Sequence, residues 1–121
     1  MTEEVTWPKE IRVSPDKKTL TLVFEEEEPV SFSAEFLRVH SPSAEVQGHS
    51  REQKQTVAGK QAVEIMKIDP VGNYAVRISF DDMHNTGLFS WAYFNEMAEQ
   101  QDELWAIYLA ELEDKGLKRE P

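Results

Sequence analysis

Residues 74–100 read YAVRISFDDMHNTGLFSWAYFNEMAEQ, and within them the hydrophobic period changes. Up to Phe80 the pattern is two: Tyr74, Val76, Ile78 and Phe80 share one face, opposite Ala75, Arg77 and Ser79. That alternation predicts a half-buried strand. DDMHNTG then turns the chain toward Leu88 and Phe89, and from Ser90 the spacing becomes helical. A serine hydroxyl can accept from the free amides of a first helical turn, so Ser90 is read as the cap of a helix over SWAYFNEMAEQ. QDELWAIYLAELEDKG (101–116) is read as a second helix ending at Gly116, with Asp102 and Glu103 in its first turn and Lys115 in its last, as the helix dipole favours. Trp105, Tyr108, Leu109 and Leu112 follow the i, i+3, i+4, i+7 rule and are expected to form the core-facing stripe.

Working back toward the N-terminus, VEIMKI (63–68) is a partner strand for YAVRISF, joined to it by DPVGN, where proline and glycine within five residues mark a hairpin turn. The first third reads as an antiparallel meander. Ile11 and Val13 alternate with polar residues, SPDKK (14–18) supplies a turn, and Leu20, Leu22 and Phe24 share a face. Glu25 to Pro29 forms the next turn, before a short strand with Val30 and Phe32. Ser33 can cap a short helix, SAEFLRV, whose apolar side is Phe36, Leu37 and Val39 and which Pro42 stops. A polar stretch covers about 41–61, and residues 117–121 are expected to be a charged, frayed tail. Strands first and helices last, with one sheet face to cover, predict an α+β two-layer sandwich: an antiparallel sheet covered by C-terminal helices, in one domain spanning 8–116.

The whole chain narrows the function classes. Its 121 residues carry 23 acidic and 13 basic side chains, a net charge of −10. Phosphate backbones repel such a surface, so no nucleic-acid partner is expected. No apolar run has the length of a membrane span, and MTEEVTWPKE lacks the parts of a signal peptide, so no membrane association is expected and the cytoplasm is the expected compartment. The absence of cysteine removes disulfides, thiol catalysis and thiolate metal sites. Charge is uneven, however: GHSREQKQTVAGK (48–60) sets Arg51, Lys54 and Lys60 against Glu52 alone, which reads as a solvated loop or as a landing place for an anionic ligand or an acidic partner.

Several chemistries fail on spacing. AGKQ (58–61) has Lys54 and Gln61 where a phosphate loop needs glycine and Ser or Thr. TGLFSW lacks the glycines of a nucleophile elbow around Ser90. None of His40, His49 and His84 is followed two residues later by a carboxylate, as an iron-oxygenase facial triad would have it. These histidines, with Glu45, Asp81 or Asp82, offer a nitrogen and oxygen set for a metal, at spacings that only the fold could bring together. No enzyme activity is expected.

LRVHSPSAEVQGH (37–49), TVAGKQAVEI, DPVGNYAVRISFDDMHNTGLFSW and the closing Trp105 and Tyr108 resemble the gamma-butyrobetaine hydroxylase-like N-terminal domain, from about Pro8 to Gly116. In carnitine-pathway dioxygenases this domain precedes the catalytic barrel; in plastid iron–sulfur ATPases a similar domain is C-terminal; in bacteria it commonly stands alone. The resemblance implies no hydroxylase activity without that barrel. In the dioxygenases, three cysteines after the Leu-Arg pair and one later histidine hold a structural zinc. The matching positions here are Ser41, Ser43, Val46 and His84; serine and valine cannot stand in for thiolates on zinc, so the loop must be held by hydrogen bonds and by burial of Val46. The resemblance also implies that His84 lies beside Ser41 or Ser43.

Two readings follow. In the first the chain is a non-catalytic binding module without a cofactor, contacting a protein partner through His40, Ser41, Ser43, Glu45, Gln47, His49, Lys60, Asp81 and Asp82; the resemblance ties it to iron–sulfur or redox-enzyme assembly. In the second it is an accessory protein that binds iron or zinc through His84, with His40 or His49 and a carboxylate.

Overall fold

The structure is a computed structural model that describes residues 8–25, 27–43, 46 and 56–121. Strands β1 (Glu10–Val13), β2 (Thr19–Val23) and β3 (Val30–Ser33) form one antiparallel sheet in that order. Helix α1 (Ala34–Val39) follows directly. Strands β4 (Ile65–Val71), β5 (Ala75–Phe80) and β6 (Leu88–Ser90) form a second antiparallel sheet, and helices α2 (Trp91–Glu99) and α3 (Gln101–Asp114) complete the chain. The fold is α+β, as expected, with its strands divided between two three-stranded sheets. A backbone hydrogen bond joins them at the hairpin between β1 and β2: the Ile65 amide donates to the Lys17 carbonyl at 2.8 Å.

The sheets share one core. Leu20 and Phe32 sit opposite each other across β2 and β3, and Val76 opposite Phe89 across β5 and β6. From the helices, Phe36, Leu37, Phe94 and Met97 join them. Phe94 stands at the centre, 5.7 Å from the Phe32 ring and 5.6 Å from Phe89. Both serine caps form as expected: Ser33 Oγ accepts from Phe36 N at 2.9 Å and Ser90 Oγ from Tyr93 N at 3.1 Å.

Three expectations are corrected. Tyr74 does not belong to the buried face of β5: the strand begins at Ala75, and Tyr74 lies in the turn, 55% exposed. β4 runs on through Asp69 and Pro70 to Val71, so the reversal is tighter than DPVGN suggested and falls at Gly72, whose φ of +55° suits glycine. Leu109 is 38% exposed, whereas Tyr108 and Leu112 are buried with Val39, and Trp105 is half-buried beside them. The last helix thus packs along a narrow line through 105, 108 and 112, and Leu109 lies about 100° around the axis from Tyr108, on the solvent side.

The tail is also tied down. The Leu117 amide donates to the Leu112 carbonyl (2.8 Å) and the Gly116 amide to Glu113 (3.2 Å), a Schellman closure with Gly116 at φ +65°. The chain then runs against 59–61: the Gly59 amide donates to the Lys118 carbonyl and the Gln61 amide to the Arg119 carbonyl. Arg119 forks onto the buried Glu35 carboxylate at 2.7 and 2.9 Å and lies 5.2 Å from the Trp105 ring centroid. The charged tail stays largely exposed yet is held against the fold, because one guanidinium meets both a buried carboxylate and an aromatic face.

Candidate functional site

The end of α1 and the turn after β5 meet at residues that are far apart in sequence. Helix α1 stops at His40, whose Nδ1 donates to the Phe36 carbonyl at 2.9 Å and whose ring lies 4.3 Å from that of Phe36. Ser41 follows, fully buried. Its Oγ is hydrogen-bonded to His84 Nε2 at 2.9 Å and accepts from the Ser43 amide at 3.3 Å. Ser43 Oγ and Thr86 Oγ1 share a hydrogen bond of 2.6 Å. Val46 is buried, and its amide donates to the Ser43 carbonyl at 3.0 Å. The expected neighbourhood of His84 and Ser41 is therefore present, as a hydrogen-bonded lock between two chain segments.

These residues do not suit zinc. A thiolate site needs charged sulfur donors, whereas two neutral hydroxyls and a valine side chain stand at the three matching positions. Among the described residues no three His, Asp or Glu side chains cluster closely enough to share a metal ion.

Beside the lock, Asp82 gathers cations. Its Oδ2 accepts from Arg38 Nε and Lys60 Nζ, both at 2.7 Å, and its Oδ1 accepts from the His84 amide at 3.1 Å. Burial pushes this carboxyl up, but the hydrogen bonds from Lys60, Arg38 and the His84 amide prevail and hold its pKa at about 2. Asp81 does different work: its Oδ1 accepts from the Glu64 amide at 3.1 Å, and its own amide donates back to the Glu64 carbonyl at 3.0 Å. The turn between them is closed by Phe80 N to the His84 carbonyl (2.9 Å) and Met83 N to the Phe80 carbonyl (3.2 Å). Met83, at its tip, has φ +73° and is 86% exposed.

Of the residues expected on a binding surface, His40, Ser41 and Ser43 are buried. Their side chains bond within the fold, His40 to the Phe36 carbonyl, Ser41 to His84 and Ser43 to Thr86, as buried polar groups require. Lys60, Asp81 and Asp82 do lie together, at the surface or half-buried. Glu45, Gln47 and His49, with Arg51, Glu52 and Lys54, lie outside the described residues. The sequence reading passed over Arg38, Thr86, Gly87 and Tyr93. The Tyr93 hydroxyl donates to the His40 carbonyl, and burial, with the nearby Glu96 charge, pushes its pKa up to about 12. Gly87 is packed so closely that an added Cβ would come within 2.3 Å of Ser41 Oγ. One glycine in an evident turn gives no hint of such a neighbour.

Comparison with known proteins bears on the whole of this arrangement. The family described as gamma-butyrobetaine hydroxylase-like, N-terminal, matches residues 11–95. Among curated proteins nothing matches the chain. Two proteins solved in solution by NMR are similar to it. One is 47% identical, with 98% of this chain and 93% of that one covered at a TM-score of 0.84. The other is 40% identical, with 100% and 92% covered at 0.82. A crystal structure from Acidithiobacillus ferrooxidans, of a protein with unknown function in the DUF971 family, is 32% identical over 80% of this chain and 98% of that one, with a TM-score of 0.65. No described helix is long and apolar enough to cross a membrane. With the family match spanning most of the chain and these folds superposing on it, the chain belongs to the gamma-butyrobetaine hydroxylase-like N-terminal domain family.

Proposed function

We propose that this domain is a non-catalytic binding module that meets a protein partner through the turn after β5. The observation that carries the reading is Met83: a large apolar side chain, 86% exposed, at a left-handed backbone position that costs a non-glycine residue energy. The turn that holds it is rigid, closed by two backbone hydrogen bonds and by the ion pairs of Asp82 with Arg38 and Lys60. An exposed apolar tip on a preorganised, charge-rimmed turn has the makeup of an interface anchor, since little entropy remains to be lost on docking. Asp81 and Lys60 supply the polar rim.

We assign the partner to iron–sulfur or redox-enzyme assembly in the cytoplasm, on the analogy of the family alone. The test is affinity capture from the native cell with the intact protein and with Met83→Ser, both checked for the same melting temperature. A specific partner lost with Met83→Ser supports the reading. A partner retained in full by Met83→Ser overturns the turn as the contact, and recovery of no specific partner overturns the module.

A further inference from the structure

Between the two sheets runs an open groove of about 710 Å³, which shares no residue with the turn around Met83. Its walls are Ile11 and Val13 from β1 and Met66 and Ile68 from β4, with the Trp91 indole beside them. Among the described residues, β1 and β4 have no strand partner on the sides that face away from their own sheets. The hairpin turn after β1 meets the start of β4 where the Ile65 amide donates to the Lys17 carbonyl, and the groove is open beside it.

Three features give the groove a chemical preference. Its charged lining residues are Lys17 and Lys67, with no carboxylate among the residues that line it, in a chain of net charge −10. Lys67 has one weak ion pair, to Asp69 at 3.5 Å, with its side chain 70% exposed. Lys17 holds φ +64° in a hairpin turn, a position at which glycine or asparagine would cost least, yet a lysine stands there and lines the groove. The β4 register shifts between Ile65 and Lys67. Met66, Lys67 and Ile68 each line the groove, which runs along the open edge of β4. The lining prolines, Pro15 and Pro70, lack backbone donors, and Pro70 sits within β4. An added peptide strand would meet a gap in the ladder there, so the groove favours an occupant held by side-chain contact.

We propose that this groove binds an elongated apolar carboxylate of the fatty-acid class. The chain lies between Ile11 and Val13 on one side and Met66 and Ile68 on the other, and the carboxylate sits between the ammonium groups of Lys17 and Lys67. The volume is in the range of small-molecule sites, and an apolar cleft with a few placed charges is the usual makeup of one.

The probe is decanoate, titrated below its micellar concentration into the full chain and followed by amide and indole NMR shifts. The expected result is saturable shifts confined to β1, β4 and the Trp91 indole. A Lys17→Gln/Lys67→Gln double variant with an unchanged melting temperature should bind decanoate about tenfold or more weakly, as loss of roughly one good ionic contact implies. Decan-1-ol should bind as weakly to the intact chain as decanoate does to the double variant. Shifts scattered over other faces, equal binding of the alcohol, or affinity untouched by the double variant would each overturn the proposal. So would preferential occupation by a hexapeptide of alternating valine and glutamate, which would make the groove a strand-binding edge. Because the double variant leaves Met83 in place, failure here is separable from failure of the turn to capture a protein.

Discussion

Gly87→Ala is the sharpest test of the lock between the two segments. The added methyl carbon would come within 2.3 Å of Ser41 Oγ, 3.2 Å of a Phe89 ring carbon and 3.4 Å of a Pro42 carbon. Real carbon atoms do not approach at the first distance, and Ser41, fully buried, has no open space to enter. Relief therefore requires either a backbone shift or a new Ser41 rotamer that breaks the 2.9 Å contact with His84 Nε2. Overpacking costs about 1–3 kcal/mol, and a lost buried hydrogen bond about 1 kcal/mol. The stiffer unfolded chain returns about 0.4–1 kcal/mol. The expected net loss is about 2 kcal/mol, read from urea unfolding at pH 7. Ser41→Ala removes the clashing oxygen and by itself should cost about 1–3 kcal/mol, through the partner taken from a buried imidazole. In that background the next neighbours of the Gly87→Ala methyl lie at 3.2 and 3.4 Å, so the second change should add little. The double-mutant cycle should show a coupling of about 1–2 kcal/mol. Additivity within about 0.5 kcal/mol, or a Gly87→Ala cost below that figure, would refute the packing described for Ser41 and Gly87.

Other outcomes follow from particular residues. Leu112→Ala should destabilise by about 2–5 kcal/mol, as for a buried leucine, whereas Leu109→Ala should cost less than about 1 kcal/mol; a reversed order would restore the wider core stripe. Asp82 titrates near 2 in the fold against its ordinary 3.8, so its stabilisation is complete above about pH 4 and is lost as pH falls through 2. Discounted for solvent screening this is about 1–2 kcal/mol. The stability gap between the parent and Asp82→Asn should narrow by that amount from pH 6 to pH 2, and a constant gap would contradict the ion pairs. A strong chelator should leave the melting temperature of the full chain unchanged, because hydrogen bonds join Ser41 to His84 and Ser43 to Thr86; a fall of several degrees would point to a metal carrying folding energy.

Local chemistry alone settled a good part of this protein. Period-two alternation through Val76, Ile78 and Phe80, and serine caps at 33 and 90, act within a few residues, so a linear reading finds them. The proximity of His84 to Ser41 came from the family resemblance, which carries a spatial relation that composition and spacing cannot express. Only the tertiary structure decided that the strands split into two sheets, since alternation within a strand does not name its neighbours and the choice depends on how the shared aromatic core fills. It also turned Leu109 outward, because α3 packs on a narrow line and its helical pattern does not show which neighbours exist. The same holds for the tail: Arg119 is an ordinary terminal charge in sequence, and becomes structural only because α1 buries Glu35 in its path. Alternation and capping are properties of a segment, whereas burial, ion pairing and the space beside Gly87 are properties of what the rest of the chain places next to it.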